Sequence, residues 1–207
     1  LTDSAHDLSA DSTGGTDHDT EDEICVFCHT PHTGNNSGGP LWNKNYDGSG
    51  LTVYTSDTLD SAAAVLKTQS NLCMSCHDGT LALNELLNYG GSGSTAIGAN
   101  WVATGGVTAA TGLLDTGMAF LDTTLLDDHP VGIDPTADTN MNLIITAADL
   151  INNGTADTVY TTYGGTLECA SCHNVHDEDG PAGGLTMFLR ADNAGSALCQ
   201  DCHVDKD

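Results

Sequence analysis

Eight cysteines in the 207-residue chain fall into four pairs of a single form. They are Cys25-Val26-Phe27-Cys28-His29, Cys73-Met74-Ser75-Cys76-His77, Cys169-Ala170-Ser171-Cys172-His173 and Cys199-Gln200-Asp201-Cys202-His203. C-x-x-C-H is the pattern through which haem c is attached. The two thiols bond to the two vinyl groups of one haem, and the adjacent histidine reaches the iron as proximal ligand. C-x-x-C pairs also build zinc sites, redox centres and tight disulfides, but none of these needs a histidine directly after the second cysteine. With nine histidines in 207 residues, four such placements by composition alone have odds of roughly a few in a million. The pattern predicts four covalent haem c groups, with His29, His77, His173 and His203 as proximal ligands.

Five histidines lie outside the motifs: His6, His18, His32, His129 and His176. Four are needed if every iron is bis-histidine. His32 and His176 stand in C-H-T-P-H and C-H-N-V-H, three residues beyond a proximal ligand. Each lies beside one haem, points away from it, and reads as a ligand to a neighbouring iron. His129 precedes Pro130, which biases it to extended backbone and suits a fixed ligand on a loop. His6, in Ala5-His6-Asp7-Leu8-Ser9, is the fourth candidate. His18 sits in the acidic stretch TGGTDHDTEDE and reads as solvent-exposed. Met118, Met141 and Met187 are rival distal ligands that would raise a haem's potential, but the histidine supply favours histidine at every iron. An enzyme needs an iron with an open position and acid–base groups around it. Closed irons point to electron transfer instead.

The elements that must position these residues are sparse. Aromatic residues make up 5% of the chain and glycine 24 residues, so large side chains for a protein-only core are scarce. Small domains in that position rely on metals or cross-links. The composition predicts a mostly irregular fold with few short α-helices and little β-structure, its core built around four haems. We read residues 1–207 as one domain of two haem-pair halves, about 1–86 and 123–207. Each half has an extra histidine three residues after its first motif, a weak internal repeat. The Gly/Ser/Thr-rich segment 87–122 joins them. Ile97, Trp101, Val102, Val107, Leu113 and Leu114 recur through it and predict a packed, short-stranded loop. Apolar spacing predicts helices over 58–72 and 193–203, and a helix or strand over 141–151.

Charge narrows the partners. Twenty-nine acidic residues against four basic ones, Lys44, Lys67, Arg190 and Lys206, give a formal charge of −25. Four scattered cations build no patch for nucleic acid, and an anionic membrane would repel the chain. No apolar run is long enough for a transmembrane helix. The opening residues read as a mature N-terminus. Haem c is attached outside the cytoplasm, so an extracellular or cell-surface location is expected, with the periplasm as alternative.

The stretches ICVFCHTPH, PLWN (Pro40 to Asn43), LCMSCHDGT, DHPVGI, LECASCHNVH and FLRADNAGSALCQDCH together resemble the multihaem cytochromes of metal-reducing bacteria and related microbes. They are most similar to the tetrahaem extracellular filament cytochromes of the OmcE type. The resemblance covers most of the chain except the middle loop. It implies bis-histidine iron throughout, a head-to-tail homopolymer, and redox proteins and extracellular acceptors as partners. It further implies that one distal histidine comes from the adjacent subunit, with His32 ligating the third haem of a neighbour and His176 the first haem of its own chain. His6 and His129 would then serve the second and fourth haems, in an order left open.

Overall fold

A computed structural model of the chain describes residues 4–10, 21–35, 41–62, 64–89, 106–137, 165–176, 187–200 and 202–203. The chain forms two compact units, one of Leu1–Thr52 and Asn71–Asp128, the other of Val53–Ser70 and His129–Asp207. Regular structure among the described residues is limited. There are three α-helices, α1 (Thr68–His77), α2 (Cys169–Cys172) and α3 (Ala197–Gln200), and 3-10 turns at Ile24–Phe27 and Ala194–Ser196. One hairpin joins β1 (Val107–Thr108) to β2 (Leu113–Leu114). Few short helices and little sheet agree with the irregular fold expected from the composition.

The first unit is organised by Phe27, Leu83, Leu86, Val107 and Leu114, a buried cluster against which Leu8, Val26, Cys76 and Phe120 pack. Val107 and Leu114 come from the Gly-rich segment and face each other across the antiparallel hairpin. The Leu83 N–H donates to the Gly112 carbonyl at 2.8 Å and ties the hairpin to the chain after the second motif. Ile97, Trp101 and Val102 lie outside the described residues.

Helix α1 carries the second motif on its last turns. It is free of Gly and Pro, and it stops where Gly79 takes φ +71°, the left-handed conformation that closes helices. A Cβ there would stand 2.5 Å from the Phe120 ring and 2.9 Å from the Leu114 carbonyl oxygen, so only glycine fits. The helix starts at Thr68, not near residue 58 as the apolar spacing predicts. Contacts from distant chain decide this. The Val65 N–H donates to the Gly132 carbonyl at 3.0 Å, and the Lys67 N–H to the Glu168 carboxylate at 3.2 Å. Ala64 is buried with Ile133 and Leu167. Tertiary bonding outweighs the few tenths of a kcal/mol per residue that separate helix formers.

The second unit centres on Ala64, Ile133 and Leu167, with Val53 and Leu59 packed against them. Ile133 and Leu167 form an antiparallel bridge. That bridge delivers the chain into α2, the third motif. Glu168 precedes the helix and is almost fully buried. Its N–H donates to Ser171 Oγ at 2.9 Å. Its carboxylate accepts from Ser70 Oγ and from Thr166 Oγ1 at 2.7 Å. Over 193–203 the expected single helix is interrupted, because Gly195, inside the 3-10 turn that precedes α3, sits at φ +65°. The 141–151 prediction falls outside the described residues.

Candidate functional site

A strap from later in the chain holds the first motif of each unit. After the first motif, the Thr30 N–H donates to the Leu41 carbonyl and the Asn43 N–H to the Cys28 carbonyl, both at 2.9 Å. After the third, the Asn174 N–H donates to the Phe188 carbonyl at 2.8 Å and the Arg190 N–H to the Cys172 carbonyl at 2.9 Å. His29 bridges Trp42 and His173 bridges Leu189, each antiparallel. Both straps carry a left-handed non-glycine residue at the same step, Leu41 at φ +62° and Phe188 at φ +57°. That conformation costs about 1–2 kcal/mol in an L-residue, and the two ladders hold it in place. The histidine spacing of the two halves is therefore accompanied by a shared backbone design.

Residues 42–44 make the first strap a hub. The Trp42 ring meets the His29 ring edge-on, centroids 5.8 Å apart at 85°. Asn43 is fully buried. Its Nδ2 donates to the Val26 and Asn88 carbonyls, both at 2.7 Å, and its Oδ1 accepts from the Asn88 N–H at 2.8 Å. Lys44, also fully buried, donates through Nζ to the Ala82, Leu83 and Glu85 carbonyls at 3.2, 2.7 and 3.5 Å.

The histidines sort into two groups. The His6 and His77 rings stand 6.0 Å apart at 88°, and the His129 and His203 rings 6.2 Å apart at 74°. Each pair joins a motif histidine to a histidine distant in sequence. Two imidazoles on opposite faces of one metal ion need roughly 6 Å between ring centres, given metal–nitrogen bonds of about 2 Å. Tautomers agree with that use. His77 Nδ1 lies 2.6 Å from the Ala119 carbonyl oxygen, His129 Nδ1 3.0 Å from that of Pro130, and His173 Nδ1 2.8 Å from that of Met187. A carbonyl only accepts, so each Nδ1 carries a proton, and in the neutral ring this tautomer leaves the Nε2 lone pair for a metal. Desolvation also holds His129 below the usual imidazole range, with His203 adding to this against the Pro130 bond. This favours the neutral form that a metal ligand needs. These residues fit a haem iron.

His29, His32, His173 and His176 are exposed. The His32 carbonyl accepts from Thr30 Oγ1 at 3.0 Å and Asn88 Nδ2 at 3.3 Å, so its backbone is held while its side chain is at the surface. His176 is anchored through its N–H to Asn174 Oδ1 at 3.3 Å. Met118 and Met187 are exposed; His18 and Met141 lie outside the described residues.

No disulfide joins any of the eight cysteines. Burial pushes the Cys28 thiol up to about 12, with Cys76 and Cys25 adding and Lys44 opposing. Burial likewise pushes Cys172 up to about 11, with Cys169 and Cys199 adding and Arg190 opposing. In the first unit, Cys76 of the second motif packs on the cluster that buries Phe27 of the first.

A family described as a doubled C-x-x-C-H motif matches residues 164–207, which hold the third and fourth motifs. No curated protein matches the chain. The match supports a haem c-binding electron-transfer cytochrome of the multihaem kind. Among the described residues, no helix is long and apolar enough to cross a membrane.

Sequence reasoning overlooked Asn43 and Lys44, which it met only within or beside the PLWN stretch and among four scattered cations. The available signal was a lysine directly after that stretch in a chain nearly devoid of cations. Asp78 was overlooked too. It is buried one residue after His77 and accepts from Tyr46 Oη at 2.7 Å and Thr80 N–H at 2.8 Å.

Proposed function

We propose that the chain carries four bis-histidine haem c groups and passes electrons along them as the repeating subunit of an extracellular filament. The observation that carries the electron-transfer reading is the meeting of His6 with His77 and of His129 with His203 at ligand-pair separation. His6 is then the distal ligand of the second haem and His129 that of the fourth. Bound haem supplies a one-electron iron couple. The chain's residues do the rest. The Ala119 and Pro130 carbonyls orient the His77 and His129 rings. Histidine on both faces leaves no position for a substrate and omits the thioether that raises potential in His/Met sites. The chain is a carrier, not an enzyme.

The filament reading rests on His32. It follows the first motif, its side chain is exposed, and no earlier haem exists for it to serve. A head-to-tail contact is open and non-closing, and gives His32 an iron in the next subunit. That bond would hold together surfaces whose acidity drives them apart, and would make assembly depend on haem loading. An extracellular location and partnership with redox proteins and extracellular acceptors belong to this reading. A second reading, a monomeric periplasmic shuttle, draws on the same charge of −25, which keeps copies apart in solution.

Intact mass should show the 21.3 kDa chain plus four haems that survive acid extraction, and negative-stain imaging should show filaments. His32→Ala should abolish filaments and leave one five-coordinate haem per subunit. Filaments of His32→Ala with every iron six-coordinate would assign the bridge to another residue. A wild-type protein that sizes as a single chain would select the shuttle.

A further inference from the structure

Lys44 is buried without an anionic partner among the described residues. Its relative exposure is 0%, and the groups around its ammonium are three carbonyl oxygens. The three N–H donors of an ammonium meet three acceptors, so the group is hydrogen-bonded. Neutral carbonyls leave its net charge uncancelled. Burying a charge this way is costly, and the chain has only four Lys and Arg residues.

Its position gives that charge a target. The Asn43 N–H is bonded to the Cys28 carbonyl and Trp42 is bridged to His29, so Lys44 is the next residue beyond the backbone of the first motif. Asn43, its chain neighbour, also donates through Nδ2 to the Val26 carbonyl inside that motif at 2.7 Å. Nearby, the second motif has the opposite neighbour: Asp78, buried and directly after His77. Surface carboxylates act through water and are screened by salt, whereas buried charges are screened much less.

We propose that Lys44 is a potential-setting residue, a fixed buried cation that holds the first haem's reduction potential above that of the second, which lies beside the buried carboxylate of Asp78. This rests on the four-haem reading above. An electron added at the first haem is attracted by Lys44, while one at the second is opposed by Asp78. The transfer so favoured moves one electron from the second iron, which is oxidised, to the first, which is reduced; no proton moves and no bond forms or breaks. The second unit repeats the placement in part. Arg190 bonds to the Cys172 carbonyl through its N–H and to the Ala170 carbonyl through Nε at 2.8 Å. There the buried Glu168 stands directly before Cys169.

The test is a spectroelectrochemical titration of the holoprotein and of Lys44→Gln, which keeps an amide donor but loses the charge, and Lys44→Arg, which keeps the charge. In Lys44→Gln one of four transitions should fall by at least tenfold in its reduction equilibrium, about 59 mV for one electron. The fall should persist at high salt, and Lys44→Arg should restore it to within threefold. Equal shifts in the two variants, or none in Lys44→Gln, would reduce Lys44 to a structural cap and overturn the proposal. If Lys44→Gln does not accumulate with four haems, Asp78→Asn reads the same field from the other side. It must raise one transition, and no rise overturns the proposal. A wild-type protein with fewer than four haems or with high-spin iron fails the four-haem reading instead, and mass and spectrum reveal that before any potential is measured.

Discussion

On the proposed ligation, removing His6 isolates one axial pair. Its ring centre lies 6.0 Å from that of His77, so truncation to alanine leaves a gap of one imidazole on the distal side of the second haem. His77 stays oriented by its 2.6 Å bond to the Ala119 carbonyl, so the proximal side is untouched. One of four irons then becomes five-coordinate, and a quarter of the haem should turn high-spin. The assay is electron paramagnetic resonance of the ferric protein, with carbon monoxide titration of the reduced form. The expected stoichiometry is one carbon monoxide per chain, against none in the parent. His129→Ala should produce the same quarter at the fourth haem, and the double variant one half, because the two pairs share no residue and independent sites add. Added imidazole should fill each gap and restore the low-spin spectrum. A His6→Ala protein that stays fully low-spin and binds no carbon monoxide would refute the pairing of His6 with His77. High-spin iron that imidazole cannot rescue would show that His6 shapes the site without ligating it.

Three further outcomes follow from the local structure. Gly79→Ala should destabilise the holoprotein by roughly 2–4 kcal/mol in denaturant titration, combining the left-handed penalty with overpacking against Phe120 and the Leu114 carbonyl; an unchanged midpoint would show that the hairpin yields freely. Burial, and then the hydrogen bond to Asp78, raise the Tyr46 phenol above the usual tyrosine range. Neutral Tyr46 therefore stabilises the fold fully below about pH 10 and loses this as pH climbs through the raised value. Tyr46→Phe should be less stable by about 1.5–3 kcal/mol at neutral pH, with the gap to the parent closing in alkali, and its tyrosinate absorbance titration should lack the latest-titrating component. Glu168→Gln puts an amide donor where a buried carboxylate accepts from Ser70, Lys67 and Thr166. It should cost about 1–3 kcal/mol, and hydrogen exchange should place the loosening around residues 65–70 and 166–171.

The chemistry of attachment was legible in the sequence because it is local. Two thiols and a histidine within five residues are placed by adjacency whatever the rest of the chain does, so four C-x-x-C-H motifs could be read directly. The histidine count likewise indicated how many distal ligands were at hand, but not which meets which. His6 and His77 are brought together by chain closure through the first unit, and His129 and His203 through the second. No periodicity encodes such contacts. The straps were equally hidden, because nothing in the side chains of Leu41 and Phe188 announces a left-handed backbone. It is the ladder on either side that imposes it. The helix expected from residue 58 failed for a related reason. Local apolar spacing favours helix there by tenths of a kcal/mol, while Val65 and Lys67 find backbone partners at Gly132 and Glu168. In the same way Lys44 reads in the sequence as one more surface cation. Only the closing of the 82–85 loop over it removes it from water, and removal from water is what lets a single charge act at full strength on its neighbours.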